Sequence, residues 1–132
     1  MSARVLLLLV LLAVAGLATF IAGEQIEVVV LRTYDAEGIS YDTKLWVVDQ
    51  EGTPWVRVAN PERHWYHRLL ANPRAELVRN QRATPVVAVP RDTPEAHASI
   101  DRLFRQKYGA VDWWYRVLLR RNPVPIRLDT AE

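Results

Sequence analysis

Apolar and polar positions alternate along much of the chain, and a period of two residues predicts β-strands. Six stretches show this alternation or a short β-branched run, at residues 25–34, 41–49, 54–59, 75–80, 84–89 and 124–128. Short turns rich in Asp, Glu and Gly separate the first three, which predicts an antiparallel meander. We therefore predict a mostly β fold with some α structure, a six-stranded antiparallel barrel closed on itself with flanking helices.

Helical spacing of apolar residues interrupts the strands three times. Three predicted helices, with Asn60, Thr93 and Asp112 as their respective N-caps, cover residues 61–71, 94–108 and 113–121. Pro61 suits a first helical position, where no N–H is needed. Asn72 can adopt the left-handed conformation that ends a helix, and Pro73 prevents the first helix from continuing. The first helix therefore leads directly into a strand.

An apolar run of 18 residues, 5–22, precedes the alternating part and is broken only by Thr19. A bilayer requires about 20 such residues, whereas a signal-peptide core has about 7–15. A cleaved signal peptide is the alternative, but the length favours an uncleaved anchor. We therefore predict a transmembrane anchor (or signal peptide) at 1–23, a barrel domain at 24–132, and a single-pass location in the cell membrane. Arg4 weakly favours a domain outside the membrane.

The composition excludes several classes of function. The 132 residues carry a net charge of +2 without a basic stripe, so no nucleic-acid partner is expected. The chain has no cysteine, which excludes disulfides, thiolate metal sites and a cysteine nucleophile. His64 and His67 lie three residues apart near Glu62, but two histidines are too few for the usual metal site. We therefore expect no metal, and both histidines are interpreted as partly exposed polar residues.

Tryptophan is the most informative residue type in the chain. The five tryptophans are Trp46, Trp55, Trp65, Trp113 and Trp114. Core packing is the default interpretation for each, and one could instead line a pocket for a planar ring. Trp113 and Trp114 could also lie at a membrane interface beside Arg116, Arg120 and Arg121. We favour the core or a pocket wall over the membrane interface.

One segment resembles a known signature. The residues Trp65-Tyr66-His67-Arg68-Leu69, followed by Ala71-Asn72-Pro73-Arg74, are similar to the Trp-Tyr-x-Asn-Leu and Ala-Asn-Pro signature of the flavin/deazaflavin split-barrel oxidoreductases. This is the pyridoxamine-phosphate-oxidase-like superfamily, and its deazaflavin-dependent nitroreductase and quinone-reductase branch is the most similar. The resemblance extends over residues 25–129 and is strongest at 65–74. It implies a split β-barrel, a homodimer, and a deazaflavin coenzyme or FMN as cofactor.

The resemblance also implies a set of site residues. Those expected to bind the cofactor are Lys44, Trp46, Arg57, Asn60 and Trp65, and those expected to line the substrate pocket are Trp65, Tyr108 and Trp114. Trp46 and Trp65 would border the cofactor ring, whereas Lys44 and Arg57 would supply positive charge. No side chain is expected to act as a catalytic nucleophile, because hydride would pass directly from the reduced cofactor.

This chain departs from the family at the position that holds the cofactor's phosphate. Deazaflavin-using members carry Gly-Arg-Lys-Ser-Gly there, and the matching stretch is Tyr-Asp-Ala-Glu-Gly at 34–38. A following arginine of the family is Tyr41, and the asparagine of the signature is Arg68. Because like charges repel, Asp35 and Glu37 disfavour a phosphate at this turn. Lys44, Arg57 and Arg74 are the expected replacements.

We therefore expect a flavin- or deazaflavin-dependent oxidoreductase tethered to the membrane and acting on a quinone-like or other small planar molecule. Two alternatives stay open. One is a cofactor-independent split-barrel module that binds a small ligand in an aromatic pocket. The other is a domain that interacts with the membrane surface through Trp113 and Trp114.

Overall fold

A computed structural model describes residues 2–24, 26–118 and 122–131, with the backbone alone for residues 18–24. Seven strands and four helices lie within these residues. The strands are β1 Val28–Tyr34, β2 Ser40–Trp46, β3 Val48–Gln50, β4 Thr53–Val58, β5 Arg74–Arg79, β6 Arg82–Pro90 and β7 Val124–Thr130. The helices are α1 Ala3–Glu24, α2 His64–Ala71, α3 Pro94–Tyr108 and α4 Ala110–Leu118.

The seven strands form one antiparallel sheet in the order β2-β1-β5-β6-β7-β4-β3. The two outermost strands, β2 and β3, are separated in sequence by Val47 alone. The two edges of the sheet therefore approach each other at Val47, and the sheet curls into a half-barrel. The mostly β content and the antiparallel pairing agree with the prediction. The predicted barrel closed on itself is wrong, because β2 and β3 are not paired with each other and the sheet stays an open half-barrel.

The prediction of six strands is wrong because the predicted strand 41–49 breaks at Val47. The Val47 N–H donates to the Tyr108 hydroxyl at 3.0 Å, and its carbonyl accepts from Lys107 Nζ at 2.8 Å. Both partners lie on α3, so Val47 directs its backbone groups to a helix. The sequence shows an unbroken apolar run here, which gives no sign of the break.

The main core fills the concave side of the sheet. Leu31, Val56 and Ile126 are completely buried there, and they belong to three different strands. Helix α2 adds Trp65, Tyr66 and Leu69 to the same cluster. Each buried aliphatic side chain of this kind contributes about 1.5–3 kcal/mol relative to exposure.

Helix α3 packs on the opposite face of β3 and β4. A second apolar cluster there joins Val48 and Trp55 to Ile100, Phe104 and Tyr108 of the helix. Strand β4 is consequently covered on both faces, and its last four residues are all buried. The predicted cap of α3 is confirmed, because Thr93 Oγ1 accepts from the Ala96 N–H at 3.2 Å.

The start and end of α2 differ from the prediction. The helix begins at His64, and its N-cap Arg63 makes no side-chain capping bond. Asn60 instead caps a turn before the helix, where its Oδ1 accepts from the Glu62 N–H at 3.0 Å. Asn72 ends the helix in an extended conformation rather than a left-handed one. The predicted cap was therefore assigned to the right residue but to the wrong element.

Helix α4 begins earlier than predicted, at Ala110 rather than Trp113. Asp112 is not its N-cap but a residue of its first turn, and it is completely buried. The helix is described as far as Leu118, so the predicted continuation through 119–121 lies outside the described residues. The reason for the burial of Asp112 is its partner Arg57 on β4.

Among the residues that the structure describes, no helix combines the length and the apolarity needed to cross a membrane. A bilayer core requires about 20 predominantly apolar residues in one helix. The predictions of an N-terminal transmembrane helix and of a single-pass location in the cell membrane are therefore wrong.

Candidate functional site

A cavity of about 450 Å³ lies between the sheet and the helices. Strands β2 and β4 contribute Lys44, Trp46 and Arg57 to its lining, and α2 with the residue before it contributes Trp65 and Arg63. Helices α3 and α4 close it with Phe104 and Tyr115. This volume is within the range of about 300–1,000 Å³ that is typical of small-molecule sites.

Two indole rings form walls of the cavity. Trp46 is the last residue of β2, and its ring stacks on Tyr108 with centroids 4.8 Å apart and an interplanar angle of 13°. On another side it meets the Tyr115 ring at 5.3 Å. Trp65 is 92% buried, since only 8% of it is exposed, and it packs edge-on against Tyr66. The orientation of Trp46 is therefore fixed by its aromatic neighbours, whereas Trp65 is shared between the cavity and the core.

The charged side chains that line the cavity are all cations, namely Lys44, Arg57 and Arg63. Lys44 and Trp46 are two residues apart on β2 and share a face of the strand. Lys44 and Arg63 are both exposed, and neither makes an ion pair with another residue of the described chain. The mouth of the cavity therefore carries positive charge that nothing within this part of the protein neutralises.

Arg57 is different, because its charge is already matched inside the protein. Its guanidinium bonds Asp101 at 3.1 Å and also binds the buried Asp112. It lies between two rings, with Cζ 3.9 Å from the Phe104 centroid and 4.6 Å from the Tyr115 centroid. Such sandwiching is a favourable cation–π arrangement. Two carboxylates thus hold one guanidinium, and Arg57 adds no free positive charge to the cavity.

The structure brings together four of the sequence-predicted site residues: Lys44, Trp46, Arg57 and Trp65. Asn60 follows the lining residue Ala59, and its side chain is bonded to the Glu62 N–H.

The two remaining residues lie elsewhere. Tyr108 lies behind Trp46 and directs its hydroxyl to the backbone of Val47 and Glu27. Trp114 is 53% exposed and packs against Trp113 on the outer face of α4. Neither Trp113 nor Trp114 is a core residue or a cavity wall, contrary to the interpretation that we favoured.

The lining residues that were not predicted from the sequence include Arg63, Phe104 and Tyr115. Phe104 belongs to the apolar stripe of α3 and is indistinguishable there from an ordinary core residue. Tyr115 follows two tryptophans in α4, and the sequence does not show which of the three rings faces the cavity. Arg63 was read as part of the first turn of α2, whereas it precedes the helix and reaches the cavity mouth.

A family model described as an uncharacterized protein conserved in bacteria, DUF2255, matches residues 17–124. The chain belongs to this family. No curated protein matches its sequence.

Solved structures of several proteins share the fold of this DUF2255 protein. An F420-H2 dependent reductase, FDR-A, is 20% identical with a TM-score of 0.57, over 76% of this chain and 92% of that one. The heme storage protein HutZ from Vibrio cholerae is 15% identical with a TM-score of 0.63, over 87% and 89%. A putative pyridoxamine 5'-phosphate oxidase from Listeria innocua is 10% identical with a TM-score of 0.60, over 87% and 92%. These likenesses show that the chain shares the fold of these three proteins.

In this DUF2255 protein the turn between β1 and β2 is acidic and internally bonded. The Asp35 carboxylate accepts from the N–H groups of Glu37 and Ile39 at 3.0 and 2.9 Å, and from the Tyr41 hydroxyl at 3.1 Å. Desolvation acts to raise the pKa of Asp35, but these hydrogen bonds outweigh it and lower that pKa below its usual value. The turn is therefore anionic at neutral pH and unsuited to a phosphate.

The histidines of the DUF2255 chain do not form a metal centre. His64 and His67 are both exposed on α2. Within the described ranges, no group of three or more metal-ligating side chains is positioned to hold an ion. The cavity beside Trp46 and Trp65 is the feature on which we base a function.

Proposed function

We propose that this DUF2255 protein is an oxidoreductase that binds a flavin-type cofactor, FMN or a deazaflavin coenzyme, in the cavity beside Trp46 and Trp65. The observation that carries the proposal is the combination of two indole walls with cations and no carboxylate in the lining of one cavity. A planar heterocycle gains stacking and loses water between such walls. The positive mouth favours the anionic tail that both cofactors carry.

The residues present fit a group of this kind. Trp46 would stack on the ring, and its contact with Tyr108 holds it in position. Lys44 and Arg63, which are exposed and unpaired within the described part of the chain, would bind the anionic tail. When bound, a flavin-type cofactor supplies hydride transfer, so the protein needs no nucleophilic side chain. The chain's contribution is to orient the ring, exclude water and leave room for a planar acceptor such as a quinone.

The binding step can be tested directly with the full-length protein. The absorbance spectrum of the purified chain is recorded first, and FMN and a deazaflavin coenzyme are then titrated separately. We expect saturable binding of one of them with a Kd on the order of micromolar. The loaded protein should then, after reduction, transfer its reducing equivalents to a soluble quinone. If neither FMN nor the deazaflavin coenzyme shows saturable binding, the oxidoreductase proposal is excluded.

A second candidate is a module that binds a small planar ligand without redox chemistry. The observation that favours it is the acidic turn at 34–38. By the resemblance, this turn occupies the position of the phosphate-binding segment of deazaflavin enzymes. This candidate predicts that neutral planar compounds bind while FMN and the deazaflavin coenzyme do not. The same titrations, repeated with uncharged ring compounds such as lumiflavin, separate the two candidates.

The resemblance also leads us to propose a homodimer. Apolar side chains of the β1–β2 hairpin are exposed in the single chain, with Val28 at 50%, Ile39 at 56% and Tyr41 at 40%. Ile39 and Tyr41 lie near the turn of the hairpin, whereas Val28 lies at its other end and also lines the cavity. Exposed apolar side chains favour association. Light scattering on the eluting protein should give about twice the 15.2 kDa mass of the chain.

A further inference from the structure

Helix α4 buries one polar residue and leaves its large apolar side chains exposed. Among the nine residues Ala110–Leu118, Asp112 alone is buried. Four large apolar side chains of this helix are 51% to 68% exposed, namely Trp113, Trp114, Val117 and Leu118. A helix normally buries its apolar face, and that packing holds it in place. Because α4 does the reverse, the contacts of the buried Asp112 and of the half-buried Tyr115 hold it beside the cavity.

Asp112 binds Arg57, and the pair is almost completely removed from water. The two side chains are 0% and 3% exposed. Arg57 Nε and Asp112 Oδ2 are both buried without a hydrogen-bond partner in the described chain. Asp101 shares the same guanidinium. A buried pair with unsatisfied atoms recovers only part of its desolvation cost, so it fixes a geometry without contributing much net stability.

Tyr115 connects this pair to the cavity. It lies three residues after Asp112, so the two side chains share a face of α4. Its ring lines the cavity, 5.3 Å from the Trp46 ring and 4.6 Å from the Arg57 Cζ. Tyr115 therefore links the Arg57–Asp112 pair to the wall of the cavity.

The joint before α4 has the properties of a hinge. Gly109 separates α3 from α4 with φ 55° and ψ −123°, a conformation that glycine adopts far more readily than other residues. The space where a Cβ would lie is open, with no heavy atom within 4 Å. Few residues need to change their dihedral angles for such an element to swing.

We propose that α4 is a hinged wall of the cavity, turning about Gly109 and latched by the Arg57–Asp112 pair, so that Tyr115 closes over a bound ligand. Arg57 and Asp112 are then positioning residues, and Tyr115 is the residue that contacts the ligand. The proposal rests on the proposed function only for the identity of that ligand, because the opening of α4 is a property of the protein alone.

Hydrogen exchange of the ligand-free, full-length protein tests the hinge without any substitution. We expect the α4 amides to exchange at least about 100-fold faster than those of the central strand β6, because α4 opens locally while β6 exchanges through global unfolding. Equal exchange in α4 and β6 would mean that α4 opens only when the whole protein unfolds, which would overturn the proposal.

The latch is tested with Asp112→Asn, which keeps the size of the side chain and removes its charge. Exchange in α4 should rise about tenfold or more while β6 is unchanged. The control is Asp129→Asn, which breaks the partly exposed pair with Arg127 on β7 and should leave α4 unchanged. Unaltered α4 exchange in Asp112→Asn overturns the latch. If α4 and β6 both exchange faster in Asp112→Asn, the variant has lost global stability. The wild-type exchange rates of α4 and β6 then decide whether α4 opens locally.

The rate of ligand release tests whether α4 is a wall of the cavity, and its outcome can be told apart from a failure of the flavin proposal. With FMN as the probe, Asp112→Asn should release the ligand about tenfold faster than the wild type. Tyr115→Ala should also release it faster but leave α4 exchange unchanged, because the latch is intact. Unchanged release in both variants overturns the role of α4 as a wall. If the wild type binds no FMN, the flavin proposal fails, whereas the exchange rates still support or overturn the hinge.

Discussion

The guanidinium carbon of Arg68 lies 4.1 Å from the centroid of the Tyr41 ring. Both residues stand where the split-barrel signature has something else, an asparagine and an arginine respectively. Arg68 Nε also donates to the buried Thr33 hydroxyl at 3.1 Å, and the Tyr41 hydroxyl donates to Asp35. The two departures therefore belong to one network that ties α2 to the β1–β2 hairpin.

A double-mutant cycle measures this contact. Arg68→Ala should lower the free energy of unfolding by about 1–2 kcal/mol, because it removes a bond to a buried hydroxyl. The coupling with Tyr41→Ala should be about 0.5–1 kcal/mol, the range of a cation–π contact near the surface. Urea denaturation of the two single variants and the double variant gives both values. Strictly additive losses would show that the two residues do not stabilise each other.

The cations at the cavity mouth should determine the charge preference of the ligand. Lys44→Ala and Arg63→Ala should each weaken FMN binding about 3- to 10-fold and leave the binding of uncharged riboflavin unchanged, since only the phosphate interacts with them. The preference for FMN should also shrink as salt is added. Arg74→Ala is the matched control, because Arg74 is exposed on β5 and does not line the cavity. Equal losses for FMN and riboflavin would contradict a phosphate contact.

Tyr108 should matter for stability rather than for the ligand. Its hydroxyl accepts from the N–H of Val47, the residue between β2 and β3, and lies 2.8 Å from the Glu27 carbonyl oxygen. Tyr108→Phe removes the hydroxyl and keeps the ring beneath Trp46. We expect a loss of about 1–3 kcal/mol in the free energy of unfolding, from buried backbone groups left without a partner. The Kd for FMN should not change. If Tyr108→Phe instead weakened FMN binding without changing the free energy of unfolding, Tyr108 would have to contact the ligand, as first expected.

Acid sensitivity should depend on Arg79. Its guanidinium bonds Glu27 at 3.0 Å and Asp49 at 2.8 Å, and these bonds lower the pKa of both carboxyl groups below their ordinary values of 4.5 and 3.8. A lowered pKa in the folded state stabilises the protein above the ordinary pKa, and the stabilisation is lost as the pH falls through the folded value.

Arg79→Met should therefore be less stable at neutral pH and lose less further stability between about pH 5 and pH 3. Each pair is partly exposed, so we expect a difference of about 1 kcal/mol or less per pair. Urea midpoints across this range provide the measurement. Arg82→Met is the control, since Arg82 is exposed and makes no ion pair within the described residues. Parallel pH profiles for Arg79→Met and the wild type would contradict this role.

The alternation of apolar residues was sufficient to predict the strands and the antiparallel sheet, because burial of one face imposes a period of two. It could not reveal the break at Val47, where both neighbours are apolar and the cause lies 61 residues away in Tyr108. The start of α4 was missed for a similar reason. Aspartate is a common N-cap residue, so the sequence favoured a cap at Asp112. Only its distant partner Arg57 explains why it is buried.

The candidate site was predictable where a residue's role depends on its own type and strand position. Trp46 and Lys44 share a face of β2, and both line the cavity. Tyr115 and Arg63 depend on how helices dock, which local sequence does not specify. Trp114 was expected in the substrate pocket because the resemblance implies aromatic residues of the C-terminal helices there, yet it is 53% exposed.

The effect of Trp46→Ala on FMN affinity, measured by calorimetric titration of the full-length protein, tests the central claim most directly. Trp65 is less suitable, because it also belongs to the core and its removal should cost about 3 kcal/mol or more of stability. We predict that Trp46→Ala raises the Kd about tenfold or more through lost stacking, while Trp114→Ala leaves it unchanged. Wild-type affinity in a folded Trp46→Ala variant would contradict the account.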